Sequence, residues 1–127
     1  MWDGKQKAVT FSYDDGVCQD RRLVDMFNYY HVKATFNINS GMQTYASHYD
    51  FGNVRVHHMN AEGLKELYKG HEIAVHTLTH QDLTKLDKDT VYNEVSWINK
   101  IWNGCLTARL PVWRILMEHI MMKWFRY

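Results

Sequence analysis

The sequence feature that most constrains the fold is the alternation of short β-rich runs with segments of helical periodicity. The runs span residues 7–12, 34–38 and 72–76, and a helical pattern follows each of them. Strands that alternate with helices pair in parallel, because each helix returns the chain to the same end of the sheet. The order βαβαβα therefore predicts an α/β fold with parallel strands and helical crossovers.

The three helical segments carry polar caps and apolar stripes. Asp20, Asn60 and Asp87 are each placed to cap a helix, and Gly70 is placed to end the second one. The stripes recur every three or four residues and consist of Leu23, Val24, Phe27 and Tyr30, then Leu64 and Leu67, then Val91, Val95, Ile98 and Trp102. We expect each helix to bury one face.

Residues 40–58 show no such period. They contain Gly41, Gly52 and scattered aromatic residues, and we interpret them as a long loop at the same end of the sheet as the polar segments after the strands. His57 and His58 lie in this segment and are expected to be solvated.

Composition limits the classes of partner. The chain has 127 residues, of which 46% are hydrophobic and 14% aromatic, enough for one domain with its own core. A formal net charge of +1 offers no field for a polyanion, so we expect neither nucleic acid nor an anionic membrane as a partner. No apolar run approaches the roughly 20 residues that span a bilayer.

The cysteines and the start of the chain suggest a compartment. Cys18 and Cys105 are too few for a disulfide framework, and no apolar leader begins the sequence. The sequence as given is therefore expected to be cytoplasmic, while a lost leader is left open. Cys18 is interpreted as a small core hydrophobe, because no helper base accompanies it.

Potential metal ligands directly follow the first and third predicted strands. Asp14 and Asp15 precede a glycine, and His76 and His80 flank the sequence Thr-Leu-Thr. The carboxyl ends of parallel strands share one edge of the sheet, so these groups should meet there. Two imidazoles and a carboxylate suit zinc or a similar divalent ion with one open position.

Each of these residues receives a separate role. Asp15, His76 and His80 are predicted to be the metal ligands, and Asp14 is predicted to be the base that takes a proton from the attacking water. Thr77 is predicted to fix the loop or to orient a ligand imidazole.

Each motif alone has a simpler interpretation. An Asp-Asp-Gly sequence is most often a turn, and a lone His pair four residues apart is more often a solvated loop or a helix face. Their joint placement after strands favours the metal site. His71 with Glu72 and His76 resembles a zincin fragment with one residue too many, so His71 is expected to be polar surface.

These motifs resemble those of the polysaccharide deacetylases, carbohydrate esterase family 4, which share a NodB homology domain. The matching segments are Ser12-Tyr13-Asp14-Asp15-Gly16, Ala34-Thr35-Phe36 and His76-Thr77-Leu78-Thr79-His80. The resemblance implies an incomplete (β/α) barrel that removes N-acetyl groups from amino-sugar polymers such as chitin or peptidoglycan. It also implies that Asp14 is the base and that Asp15, His76 and His80 hold a divalent metal, most consistent with Zn²⁺.

The resemblance ends near Gly104. The family's later motifs, including the histidine that acts as general acid, are not found, and Arg109-Leu110-Pro111 imitates the third motif with Trp113 in place of its glycine. Residues 1–104 are therefore assigned to the N-terminal part of a deacetylase domain. Residues 105–127 are assigned to an aberrant apolar tail and not to a separate domain.

A frameshift near Cys105 would explain the tail. Read one nucleotide early, its codons permit the string Ala-Tyr-Pro-x-Gly-Thr-Tyr-Asn-Asp-Glu-Val-Val, which is very like the family's third motif and the helix after it. The nucleotide sequence of the gene tests this hypothesis.

A full barrel needs several more βα units of roughly 30 residues each. An open sheet leaves an unpaired edge, which favours self-association through that edge or the tail. Three functions stay open: a weakly active or inactive deacetylase, a non-catalytic metal-binding remnant, and an α/β interaction module. The motifs do not choose among chitin, peptidoglycan, other poly-N-acetylglucosamine and O-acetylated xylan.

Overall fold

The structure is a computed structural model that describes residue 4 and residues 6–105, with side chains described as far as residue 96. The predicted stripe positions Ile98 and Trp102 and residues 106–127 of the predicted tail therefore lie outside what is described. Nine elements follow in order: β1 (Ser12–Asp14), α1 (Asp20–Tyr29), β2 (Thr35–Ile38), β3 (His48–Phe51), β4 (Val54–His57), α2 (Ala61–Leu67), β5 (Glu72–Val75), a 3₁₀ turn (Leu83–Lys85) and α3 (Lys88–Cys105).

The central sheet has three parallel strands in the order β1-β2-β5. Asp14 pairs with Asn37, and Ile38 pairs with Val75, so the three strands end at a common edge. The predicted α/β class with parallel strands and helical crossovers is confirmed. Within the described residues this sheet is open, and closure into a barrel is not seen.

The first strand lies later than predicted. It spans Ser12–Asp14, whereas the sequence placed it at residues 7–12. Register explains the shift, because Ser12 is the residue that pairs with Thr35, the first residue of β2. Asp14 is therefore the last residue of the strand itself.

The interpretation of residues 40–58 as a long loop was wrong. Strands β3 and β4 form an antiparallel hairpin in which Tyr49 pairs with Val56 and Phe51 with Val54. Gly52 takes a φ of 61° in the two-residue turn, which suits the first central position of a type II′ hairpin. The Gly-Asn dipeptide between alternating side chains was the sequence signal for this hairpin.

The core joins β2 and β5 to α1 and α2. Its buried apolar residues are Val24, Phe27, Ala34, Phe36, Ile38, Met59, Leu64, Tyr68 and Val75. None of the helices in the described part is long and apolar enough to cross a membrane.

The predicted helix caps have different outcomes. Asp87 caps α3, since its Oδ1 accepts hydrogen bonds from the Asp89 and Thr90 amides at 3.0 Å. Asn60 precedes α2, but its side chain accepts instead from the Tyr45 amide. Asp20 is the first residue of α1, is buried, and accepts a hydrogen bond from the Tyr68 hydroxyl at 2.6 Å.

His71 is half-buried, whereas the sequence-based expectation was polar surface. Its Nδ1 accepts from the Ala34 amide at 3.3 Å, and its ring contacts Phe27 and Phe36. Cys18 packs against the core, as expected.

Candidate metal centre

The two aspartates lie where β1 ends, but their backbones differ. Asp14 is still in the strand, whereas Asp15 has a φ of 75°, a left-handed conformation that turns the chain. The amide of Asp15 donates to the Asn37 carbonyl at 2.9 Å and so remains tied to β2. This abrupt turn explains how adjacent carboxylates come to face different surroundings.

Gly16 completes the turn and has no room for a side chain. Its φ is 67°, and an added Cβ would lie 2.9 Å from the Gln43 Oε1 and from the Ile38 Cδ1. The Gln43 Nε2 donates to the Asp15 carbonyl at 2.8 Å, which holds the turn from the other side.

The two histidines begin and end a tight turn after β5. The His76 amide donates to the Ile38 carbonyl, so His76 continues the sheet register. Thr77 and His80 both have left-handed backbones, with φ of 68° and 58°. The Thr77 Oγ1 accepts from the His80 amide at 3.0 Å, which is the loop-fixing contact that the sequence suggested for Thr77.

The donor atoms of Asp15, His76 and His80 lie within 4.8 Å of one another. The Asp15 Oδ1 is 3.5 Å from the His80 Nε2 and 3.8 Å from the His76 Nε2. Ligand atoms at about 2.0–2.2 Å from a tetrahedral ion lie roughly 3.3–3.6 Å apart, so a small inward movement would complete the set.

The hydrogen bonding of Asp15 also fits a bound cation. Its Oδ1 is buried and has no hydrogen-bond partner among the described residues. Burying a carboxylate oxygen without a hydrogen-bond donor costs free energy, because the oxygen loses its bonds to water and no protein group replaces them. A divalent ion shared with the two imidazoles would satisfy that oxygen.

Asp14 lies beside this group without joining it. Its Oδ1 accepts from the Asn37 Nδ2 at 2.6 Å, while its Oδ2 is 3.9 Å from the His76 Nε2. Its side chain is 54% exposed, against 20% for Asp15. One oxygen of Asp14 is therefore held and the other faces open space next to the three donors.

Burial sets the charge state of His76. Loss of solvent lowers its pKa, and the neighbouring His80 acts in the same direction, while Asp14 and Asp15 oppose them. The lowered pKa favours the neutral imidazole, which is the form that binds metals.

The hairpin adds two residues that the sequence reasoning missed. Burial and the nearby Asp15 carboxylate raise the pKa of the Tyr49 phenol. His58 is only 1% exposed, so the expectation that it is solvated was wrong. Both line a cleft with Asp15 and His80, because the hairpin folds over the strand ends.

His57 is half-buried rather than freely solvated. Its ring stacks on Tyr45 with centroids 4.3 Å apart, and its Nδ1 lies 2.9 Å from the Tyr45 carbonyl. It does not line the cleft beside Asp15.

Glu94 on α3 is the third missed residue, and it contacts the turn between the histidines. The sequence did hold a signal for it, since Glu94 interrupts the apolar stripe between Val91 and Val95. An acidic residue on the buried face of a helix needs hydrogen-bond donors inside the protein.

Comparison with known proteins gives consistent matches. The family model for polysaccharide deacetylase matches residues 3–115. A chitin deacetylase from Pestalotiopsis sp is 35% identical over 107 residues, which cover 84% of this chain and 32% of that protein. A bifunctional xylanase/deacetylase from Pseudobutyrivibrio xylanivorans is 28% identical over 98 residues, covering 72% of this chain and 14% of that protein.

A solved structure shares the fold. The Streptococcus pyogenes deacetylase PplD, determined in complex with acetate, superposes with a TM-score of 0.60 at 22% identity. The match covers 79% of this chain and 43% of that one. The chain thus spans about a third or less of the curated relatives and under half of this structural neighbour.

Proposed function

Because the chain belongs to the polysaccharide deacetylase family, we propose that it carries the metal centre of a hydrolase that removes N-acetyl groups from amino-sugar polymers. The observation that supports this most directly is the convergence of three donor atoms beside a free carboxylate oxygen of Asp14. A structural turn would need neither a buried, unpartnered oxygen on Asp15 nor two imidazoles next to it.

Asp15, His76 and His80 would hold the metal. Two ring nitrogens and one carboxylate oxygen are a donor set that Zn²⁺ accepts while keeping a position open. A bound divalent ion would polarise the acetyl carbonyl and lower the pKa of water at the site. The neutral state favoured for His76 by burial keeps its nitrogen available for the ion.

Asp14 would act as the general base. The hydrogen bond from Asn37 fixes one of its oxygens, and the other is left to accept a proton from the attacking water. Its exposure also lets the proton pass to solvent afterwards. This division of work requires the carboxylates to point apart, which the left-handed backbone of Asp15 provides.

The substrate class follows from the family and from charge. The chitin deacetylase relative is named for an N-acetylglucosamine polymer, and a net charge of +1 gives this chain no preference for a polyanion. We therefore place N-acetylated, largely neutral polymers or oligomers first. The xylanase/deacetylase relative keeps acetylated xylan as the comparison substrate.

Metal binding without turnover is the second candidate. Among the described strands β1 has a partner on one side only, and the Asp14 side chain beside it is more than half exposed. Electrostatic stabilisation of a transition state weakens as water enters a site. This chain would then bind the ion and release little acetate.

Acetate release with and without metal distinguishes the two candidates. The protein is stripped with chelator, reloaded with Zn²⁺, and given chitin oligomers, peptidoglycan fragments or acetylated xylan. We expect Zn²⁺-dependent acetate release, lowered about 10²–10⁴-fold by Asp14→Asn because general base catalysis contributes that much. Zinc affinity should be nearly unchanged in this variant.

The matched control is Asp25→Asn, which changes an exposed aspartate of α1 in the same way. It should behave as the parent does. Zinc binding without acetate release would favour the second candidate, and release that persists in chelator would refute the proposed function.

A further inference from the structure

Glu94 is a buried carboxylate whose hydrogen bonds all reach the turn between the two histidines. It is 4% exposed and lies in the first half of α3. Its Oε2 accepts from the Leu78 amide at 3.1 Å and from the Thr79 amide at 2.9 Å, and its Oε1 accepts from the Thr79 hydroxyl at 2.6 Å. No cation pairs with Glu94 within the described part of the chain.

These contacts compensate for the burial of the charge. An ionised carboxylate is expensive to bury unless donors replace its water, and donors to a charged acceptor form the stronger class of hydrogen bond. All three donors come from two consecutive residues of a single turn. All three hydrogen bonds of the Glu94 carboxylate therefore go to the segment that separates His76 from His80.

That segment has an unfavourable backbone. Thr77 and His80 both take positive φ, and a β-branched residue such as Thr77 rarely adopts it. Such conformations persist only where the surroundings hold them in place. The main chain holds part of the turn, because the Gly41 amide donates to the Leu78 carbonyl and the Leu78 amide also donates to the main-chain carbonyl of Glu94 at 3.1 Å. The Thr79 amide and hydroxyl, in contrast, are bonded by the Glu94 carboxylate.

We propose that Glu94 is a positioning residue for the metal centre: by holding Leu78 and Thr79 it fixes the distance and direction of His76 relative to His80. Without these bonds the turn relaxes toward ordinary backbone conformations, and His80, which is half exposed, moves away from Asp15. The inference rests on the proposed function in one respect, namely that the two imidazoles bind a metal.

The first test compares metal affinity among variants of α3. Glu94→Ala should weaken Zn²⁺ binding about 10–100-fold, the range found when partners of metal ligands are removed. Glu94→Gln keeps a carbonyl oxygen for the two amides and should remain within a few-fold of the parent. Asn93→Ala, at the adjacent exposed position of the same helix, is the matched control and should bind Zn²⁺ as the parent does.

Cobalt provides a readout that a general loss of stability would not change. The visible absorption of bound Co²⁺ reports ligand geometry, so at saturating Co²⁺ the Glu94→Ala spectrum should shift in intensity and position, whereas that of Asn93→Ala should not. An Ala variant with the affinity and spectrum of the parent would overturn the proposal. A Gln variant as weak as the Ala variant would also overturn it, since charge and not hydrogen bonding would then be responsible.

Amide hydrogen exchange tests the hydrogen bonds between Glu94 and the turn without metal or substrate. In metal-free protein, Glu94→Ala should speed exchange at the Thr79 amide by at least about tenfold and leave the amides of β2 unchanged. The Leu78 amide should be affected less, because it keeps its bond to the main-chain carbonyl of residue 94. Unchanged exchange at the Thr79 amide contradicts the proposal. If the parent shows this protection but binds no metal, the proposed function fails while the anchoring contact is still demonstrated, so the two failures are distinguishable.

Discussion

Asp15 and Asp20 are both shielded from water, yet they belong to regions with opposite requirements. Asp15 lies at the strand ends with one oxygen lacking any donor among the described residues and two imidazoles within 3.8 Å. Asp20 lies at the start of α1, 4% exposed, with the Tyr68 hydroxyl 2.6 Å from its Oδ2. The first environment suits a bound cation, whereas burial in the second favours the neutral acid.

The difference shows how neighbouring carboxylates can be given separate roles. Burial raises the pKa of Asp20 to about 6, and the Tyr68 hydrogen bond only partly opposes that effect. Asp15 is less buried and faces groups that a divalent ion can join. The core therefore favours the neutral form of Asp20, and the strand edge leaves Asp15 available for a ligand.

The largest effect expected from this contrast is on metal affinity. Asp15→Asn removes a charged ligand, and since about 10–16 kcal/mol of zinc binding is shared among roughly four ligands, the loss should be about 10²–10³-fold in Kd. Zinc competition assays measure it directly. Asp20→Asn is the matched control and should keep the parent Kd within about twofold. Equal losses in the two variants would mean that the regions are not functionally distinct.

The second effect concerns the free energy of unfolding, and here Asp20 is the residue expected to matter. Below the usual Asp value of 3.8, Asp20 is protonated in both the folded and the unfolded chain. Between 3.8 and about 6 the unfolded chain ionises while the folded chain keeps its proton, so the free energy of unfolding falls as the pH rises. The fall is complete above about 6 and amounts to about 3 kcal/mol.

Asp20→Asn should remove this pH dependence, because an amide stays neutral and its carbonyl can still accept from Tyr68. Urea unfolding in chelator at pH 4 and pH 7 should show the variant gaining up to about 3 kcal/mol on the parent between the two. Asp25→Asn, at an exposed position of the same helix, should follow the parent. Parallel pH profiles for Asp20→Asn and the parent would show that Asp20 is ionised in the fold.

The strand-edge region was more predictable from the sequence than the elements that cover it. Strands β2 and β5 were placed within one residue, since their apolar runs are continuous and end in polar turns. The two motifs could be assigned to one edge because parallel strands end together. The sequence did not predict the left-handed backbone of Asp15. That conformation depends on hydrogen bonds to Asn37 and Gln43, which lie in distant segments of the chain.

The hairpin of β3 and β4 was harder to predict from the sequence, because its residues carry conflicting secondary-structure signals. Residues 40–58 mix glycine, histidine and aromatic residues, and the Gly-Asn turn signal was outweighed by the absence of an apolar period. His58 is buried where the chain after the hairpin pairs with the segment that follows β1, through the bridge between Val17 and His58. Such long-range pairing leaves no periodic trace in a single sequence.

The smallest predicted effect tests whether that hairpin belongs to the metal region at all. Tyr49→Phe removes the hydroxyl whose pKa the nearby Asp15 carboxylate helps to raise, but it keeps the ring against His58, with 5.8 Å between centroids. A hydrogen bond from this hydroxyl to Asp15 in the metal-bound protein would contribute about 0.5–1.5 kcal/mol net, so zinc affinity should fall about 2–10-fold in the variant. Tyr45→Phe is the matched control, because Tyr45 stacks on His57 away from the cleft and should leave Kd unchanged. Identical zinc affinities for both variants and the parent would mean that the hairpin does not contribute to the metal centre, which would then consist of residues at the strand ends alone.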